Sequence, residues 1–295
     1  MLDICIVTDG KPGHQNQSIG LADALIEEVP AAVVHFQQPK TLWQLFISAV
    51  LGLVRRPECK YRLVMGAGHS THLTILCLGW LHQAKTIVLM KPSLPTRWFD
   101  LAIIPQHDKP DVSRVNIVAT LGVLNRMKAD PKIPQTGLLL IGGPSKHFVW
   151  NDDQVIKQIK SLVDKKQDIS WLLTTSRRTP SSFLDKLSSQ ETRVTIFPVE
   201  SVDATWLPQQ LATAEYCWVS EDSVSMVYEA LTAGCNVGLF SLESKIDSRV
   251  AKGIEMLKNS GRILQEENIG QYAPTKELFN EASRCASIIL KKGWL

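Results

Sequence analysis

The chain has 295 residues, 44% hydrophobic and 21% charged, which is enough apolar material for a large core or for two domains and excludes disorder as the default state. Its 32 basic and 29 acidic residues are interspersed and leave a formal charge of +3, so a broad positive field for nucleic acid is excluded while a local basic site for an anionic ligand is not. Six cysteines, Cys5, Cys59, Cys77, Cys217, Cys235 and Cys285, are widely spaced with no C-x-x-C pair, the pattern of buried thiols in a reducing compartment.

The chain enters an apolar run at residues 2–8, broken only by Asp3, with no basic leader or small-residue cleavage site, so a first strand of a cytoplasmic protein is expected. Residues 16–28 then fit a crossover helix, with Ile19, Leu21, Leu25 and Ile26 available for sheet packing. Strands are predicted at 31–35, 62–65, 86–90, 101–104 and 115–119, whose nearly unbroken hydrophobicity suits a parallel sheet covered on both faces. Residues 42–54 are unusually apolar, include Trp43 and Phe46, and run from Leu42 into Arg55 and Arg56. This stretch is shorter than the about 20 residues a bilayer span needs. It fits either a buried helix or a helix resting on the cytoplasmic face of a membrane, with its arginines among headgroups.

Residues 1–128 therefore make a first α/β domain, and a polar interval at 125–136 with Pro131 and Pro134 is the expected linker. A second series begins at 137–141, continues through a helix at 153–165, and adds strands at 170–174, 193–197, 216–219 and 236–240. Residues 137–275 form the second domain, and 276–295 a terminal helix able to pack back toward the first. The fold class is α/β: two doubly wound Rossmann-like domains facing one another across a cleft, with ligands beyond the carboxyl ends of the strands.

The loops after the predicted strands carry the chemistry. The first strand runs into Asp9-Gly10-Lys11-Pro12-Gly13-His14-Gln15-Asn16-Gln17, either a ligand loop or a polar turn with an Asn16 cap, and not a P-loop. Gly66-Ala67-Gly68 follows another strand; His69 and His72 after it lack H-E-x-x-H spacing, and no metal site is expected. Gly142-Gly143-Pro144-Ser145-Lys146 offers open backbone donors, the Ser145 hydroxyl and the Lys146 ammonium to a diphosphate, unless it is a glycine turn with a surface lysine. Thr175-Ser176-Arg177-Arg178-Thr179-Pro180 brings two guanidiniums able to clamp phosphate, or simply a solvated edge. The run Ser220-Glu221-Asp222-Ser223-Val224-Ser225 opens a helix that carries Glu229. It places hydroxyls at a helix N-terminus and a carboxylate four residues past Ser225, a cradle for phosphate and ribose, or else a cap and a solvated residue. Four such loops at one expected ligand edge are poorly explained by chance composition.

Taken in order, Asp9-Gly10-x-x-Gly13-x-x-Asn16-Gln17, Gly142-Gly143-Pro144-Ser145-Lys146, Thr175-Ser176-Arg177-Arg178-Thr179-Pro180 and Asp222-Ser223-Val224-Ser225-Met226-x-x-Glu229-Ala230 resemble the elongated-mitochondria fission family over almost the full chain. That family looks like a divergent branch of GT-B glycosyltransferases, which include the N-acetylglucosaminyltransferase acting on lipid-linked peptidoglycan precursor. The resemblance implies that Glu229 contacts ribose, Ser223 and Ser225 the pyrophosphate, and Arg177 or Arg178 the leaving group. It makes His14 a candidate general base with Asp9 as its rival.

The resulting expectation is a metal-independent, inverting transferase that moves a sugar from a nucleotide-sugar donor, with no further cofactor, to a hydroxyl acceptor such as a lipid-linked saccharide or lipopolysaccharide core. Gly143, Ser145, Lys146, Ser176 and Asp222 complete the expected donor contacts. Two alternatives are a nucleotide-sugar epimerase and a noncatalytic membrane-associated protein that keeps the fold.

Overall fold

The computed structural model describes residues 2–54, 60–191, 193–245, 249–265, 269 and 279–295. The chain divides into two compact units, Met1–Arg126 with Asn280–Leu295, and Met127–Phe279.

The first unit contains β1 (Leu2–Val7), α1 (Pro12–Glu28), β2 (Ala32–Gln37), α2 (Leu42–Val54), β3 (Leu63–Ala67), α3 (His72–His82), β4 (Lys85–Leu89), β5 (Leu101–Pro105) and β6 (Ile117–Thr120). Its sheet has the order β2-β1-β3-β4-β5-β6, every neighbouring pair parallel. Every residue of β3 and β5 is buried, as expected of strands covered on both faces. Alternate residues feed two cores: Ile4, Ile6, Met65 and Ile103 pack with Leu21 and Leu25 of α1, while Val7, Val64, Val88 and Ile104 pack with Ile75 and Leu78 of α3.

Two sequence expectations change here. Helix α1 starts at Pro12, not Asn16, because proline has no N–H to lose in a first turn and its φ is already helical. His14 therefore sits on the helix and not in the loop. Helix α2 is not a buried helix: Leu42, Trp43, Phe46, Ile47, Val50 and Leu51 are all exposed. No described helix is long and apolar enough to cross a membrane. Arg55 and Arg56 lie outside the described residues.

The second unit contains β7 (Ile133–Ile141), β8 (Phe148–Val149), α4 (Asp152–Lys165), β9 (Ser170–Thr175), α5 (Ser181–Gln190), β10 (Val194–Phe197), α6 (Trp206–Thr213), β11 (Ala214–Ser220), α7 (Val224–Thr232), β12 (Asn236–Phe240), β13 (Glu243–Ser244) and α8 (Arg249–Asn259). The main sheet is parallel in the order β10-β9-β7-β11-β12, and β8 and β13 form a small antiparallel pair. Helix α4 shows why these helices form: Asn151 caps Gln154 N at 3.1 Å, Asp152 and Asp153 face the positive end of the dipole, and Val155, Ile156, Ile159, Leu162 and Val163 make one buried stripe. The expected linker at 125–136 is corrected, since its last four residues already belong to β7.

Helix α9 (Glu281–Lys291) belongs to the first unit. Ala282, Cys285, Ala286 and Ile289 enter the core beside α1, and Arg284 Nη2 donates to Ala119 O at 2.6 Å. The helix starts later than the expected 276, with Asn280 capping Ser283 N at 3.0 Å. Phe279 stays in the second unit, 5.9 Å from the Tyr228 ring, and Leu278 lies outside the described residues.

Strand order reverses between β1 and β3 in the first sheet and between β7 and β11 in the second. In open α/β sheets such switch points are where loops diverge and a ligand crevice opens at the strands' carboxyl ends.

Candidate functional site

At the second unit's switch point three loops interlock. Gly142 N donates to Ser220 Oγ at 2.7 Å, and Gly143 N to Asp222 Oδ2 at 3.0 Å, joining the ends of β7 and β11. From the end of β9, Ser176 Oγ donates to Gly142 O at 3.0 Å, and Thr179 Oγ1 lies against the same carbonyl while accepting Ser176 N at 2.9 Å. Arg178 spans the group: Nη2 meets Asp222 Oδ2 at 2.8 Å and Ser223 Oγ at 3.1 Å, and Nη1 reaches Gly143 O and Pro144 O at 3.3 and 3.2 Å. The Asp222 side chain is fully buried, so this pairing is what makes its charge tolerable there. Gly142 must be glycine for this packing, because a Cβ would overlap the Asp222 carboxylate and the Ser223 hydroxyl.

The loops lead into α7, whose N-cap residue Ser223 makes no side-chain capping bond. Asp222 is turned toward Arg178 and Gly143, so the first N–H groups of α7 keep their donor capacity for a ligand. Ser225 is exposed on the first turn. Glu229 is largely buried, and no hydrogen bond among the described residues reaches its carboxyl. Burial pushes its pKa up to about 7.

In the first unit, Asp9 lies in the loop that follows β1 and His14 occupies the first turn of α1. His14 Nδ1 lies 3.1 and 3.0 Å from the two Asp9 carboxylate oxygens. The Asp9 side chain is 8% exposed. Burial raises its pKa, but the hydrogen bonds from His14 and Lys11 N–H outweigh this and hold it below the ordinary range. With Nδ1–H donated to Asp9, Nε2 is the ring's acceptor, and no described residue bonds it. Gly68, at the end of β3, makes room: at φ +96° it has no side chain where a Cβ would stand 2.5 Å from His14 Nδ1 and 2.9 Å from Asp9 Oδ2.

The sequence-derived residues thus separate into two kinds. Asp9 with His14 form one pair, and Gly143, Ser176, Arg178, Asp222 and Ser223 form one interlocked cluster. Within that cluster Ser176 is scaffolding, and Ser145 likewise spends its hydroxyl accepting His147 N and Phe148 N at 3.3 and 3.1 Å in its own turn. Arg177 and Lys146 are exposed, with no partner among the described residues. Elsewhere in the first unit, His72 is buried and bonds Ser93 Oγ at 3.2 Å. Burial and then His69 push its pKa down to about 4, which keeps it neutral. Thr179 and Gly68 stand in motifs quoted from the sequence that assign neither a role of its own; the structure makes Thr179 a loop-bridging hydroxyl and Gly68 the space beside His14 and Asp9.

A family model described as Mitochondrial fission ELM1 matches residues 12–292. "Uncharacterized protein RP120" of Rickettsia prowazekii (strain Madrid E) is 24% identical, with 98% of each chain covered. Among solved structures, a putative UDP-N-acetylglucosamine 2-epimerase from Listeria monocytogenes is similar with a TM-score of 0.60 at 11% identity, covering 99% of this chain and 96% of that one. MurG of Acinetobacter baumannii gives 0.51 at 12% identity, covering 100% and 92%. At such identities the likeness is one of fold, two α/β units with helix-flanked parallel sheets in the GT-B-like manner. The chain belongs to the Mitochondrial fission ELM1 family.

Proposed function

We propose that the chain is a nucleotide-sugar enzyme whose second unit binds the nucleoside diphosphate and whose reaction is transfer of the sugar to a hydroxyl acceptor bound by the first unit. The observation that carries this is Glu229, a largely buried carboxyl without a described partner, just beyond the uncapped start of α7 at a switch point. It accepts hydrogen bonds from ribose hydroxyls. The α7 N–H groups with the exposed Ser225 hydroxyl hold the diphosphate, Ser223 donating instead to Asp222 Oδ2 at 3.2 Å, and Arg177 meets the charge that grows on the diphosphate as it departs. Arg178 acts through Asp222, keeping the loops in register.

In the first unit His14 Nε2 takes the proton of the acceptor hydroxyl. The freed oxygen bonds to the anomeric carbon as the carbon–oxygen bond to the diphosphate breaks, its electron pair leaving with the diphosphate, and the configuration inverts. Asp9 fixes the imidazole's tautomer and stabilises the imidazolium. The acceptor class proposed, a lipid-linked saccharide or lipopolysaccharide core, rests on the family resemblance alone.

Epimerisation of the nucleotide sugar is a second reading. It is favoured by the similarity to a putative UDP-N-acetylglucosamine 2-epimerase, and by S. aureus MnaA, similar at a TM-score of 0.50, having been solved with UDP. A His–Asp pair suits removal of a carbon-bound proton as well as a hydroxyl proton. Mass analysis after incubation with nucleotide sugars and a lipid-saccharide extract separates the two. Transfer yields glycosylated acceptor and nucleoside diphosphate in equal amounts, and Asp9→Asn lowers kcat by about 10²–10⁴-fold with donor affinity unchanged. An epimerised donor with no glycosylated acceptor establishes the second reading, and no conversion of any donor overturns both.

A further inference from the structure

Helix α2 presents an apolar face that its own unit does not cover. It is seated on α3 through its Leu45 side, where Cys77 Sγ approaches Leu45 O at 4.0 Å. On the opposite side Trp43, 68% exposed, stacks on Phe46, 61% exposed, at 5.8 Å, and Val50 continues the stripe one turn on. On α3, Leu73 is also exposed and Trp80 is 58% exposed. Leu42, Trp43, Phe46, Ile47, Val50 and Leu51, all exposed on one helix, are not a scatter of single exposed side chains.

Charge selects the occupant. Between Glu28 and Asp100 the chain carries eight Lys or Arg and one acid, Glu58, whereas the rest of the chain has 24 Lys or Arg and 28 Asp or Glu. Lys40 stands at the entry to α2, with Nζ on Ser48 Oγ at 3.0 Å, and Lys60 reaches Gln83 Oε1 at the end of α3 at 3.1 Å. Lys85 alone among the structurally described ones pairs closely with an acid, Asp100 at 2.8 Å. A two-fold contact with a second copy through α2 would set Lys40 and this basic stretch of chain against their own copies, at a like-charge cost. An anionic bilayer complements it: cations pair with phosphate headgroups, and tryptophan rings favour the interface.

We infer that the exposed face of α2 in the first unit docks on an anionic phospholipid bilayer, with α2 lying in the headgroup plane and Trp43 and Phe46 inserted at the acyl boundary. The inference does not depend on the nucleotide-sugar reading. The test is co-sedimentation of the full chain with vesicles of phosphatidylcholine and phosphatidylglycerol, against phosphatidylcholine alone. Binding is expected to anionic vesicles, weakened by added salt, and about tenfold or more weaker in Trp43→Ser/Phe46→Ser. Lys40→Gln/Lys60→Gln is expected to weaken it about fivefold or more. Because Trp43 and Phe46 are exposed, unchanged thermal unfolding of their variant confirms that it folds. The proposal is overturned by equal binding to both vesicle types, by full binding of the Trp43→Ser/Phe46→Ser variant, or by a solution dimer that dissociates in that variant while vesicles capture nothing.

Discussion

Glu229 is a carboxyl whose burial disfavours its charged form. Burial raises its carboxyl from the ordinary 4.5 to about 7, so the native state keeps a proton that the unfolded chain gives up. The resulting stability is fully present below about pH 4.5 and is lost as pH rises through about 7, a swing on the order of 3 kcal/mol. Glu229→Gln is expected to abolish that dependence in urea unfolding between about pH 5 and 8. Ribose hydroxyls donating to the carboxylate favour its ionised form, so nucleotide binding near pH 6.5 is expected to release up to about one proton in the parent and none from this position in the variant. Calorimetry in buffers of different ionisation enthalpy reads this directly, and equal proton release in both proteins would contradict it. At Asp9 and His14 sequence alone yields two rivals for one role. The structure makes them partners, because Pro12 starts α1 early enough to turn His14 back over the Asp9 loop.

At the level of elements, the strands were readable because a sheet covered on both faces leaves nearly continuous apolar runs, and β3 and β5 are buried throughout. The start of β7 was not, because Pro134 and the polar residues around it imitate a linker while the strand's first three residues are exposed and a bulge interrupts its pairing with β11. Lys132 is part of that disguise. Its Nζ donates to Leu211 O at 3.1 Å, Ala212 O at 2.7 Å and Ala233 O at 2.6 Å, satisfying carbonyls at the ends of α6 and α7. Burial lowers its pKa. Lys132→Met is expected to destabilise the protein by about 2–4 kcal/mol, since three carbonyls lose a charged donor together. A urea midpoint within error of the parent would show that these bonds carry no net stability. Helix α2 was ambiguous for a related reason: an apolar run reports that a face avoids water without saying what covers it.

Over the whole molecule, each unit is a separate parallel sheet, and in each the candidate residues stand where strand order reverses. That placement was legible in outline, since the loops after β1, β7, β9 and β11 hold the glycines, hydroxyls and cations noted in sequence. The division of labour among them was not. Whether Ser145, Ser176 and Arg178 face a ligand or one another depends on how three loops cross, and here they bond to the loops themselves. Calorimetric titration of UDP, GDP, ADP and CDP into the parent, Glu229→Ala and a folded Gly142→Ala variant tests the central claim. One nucleoside diphosphate is expected to bind the parent at one site, about tenfold more weakly to Glu229→Ala, and weakly or not at all to Gly142→Ala. Failure of all four to bind the parent, or equal affinity in all three proteins, would contradict a nucleotide site at the β7–β11 switch point.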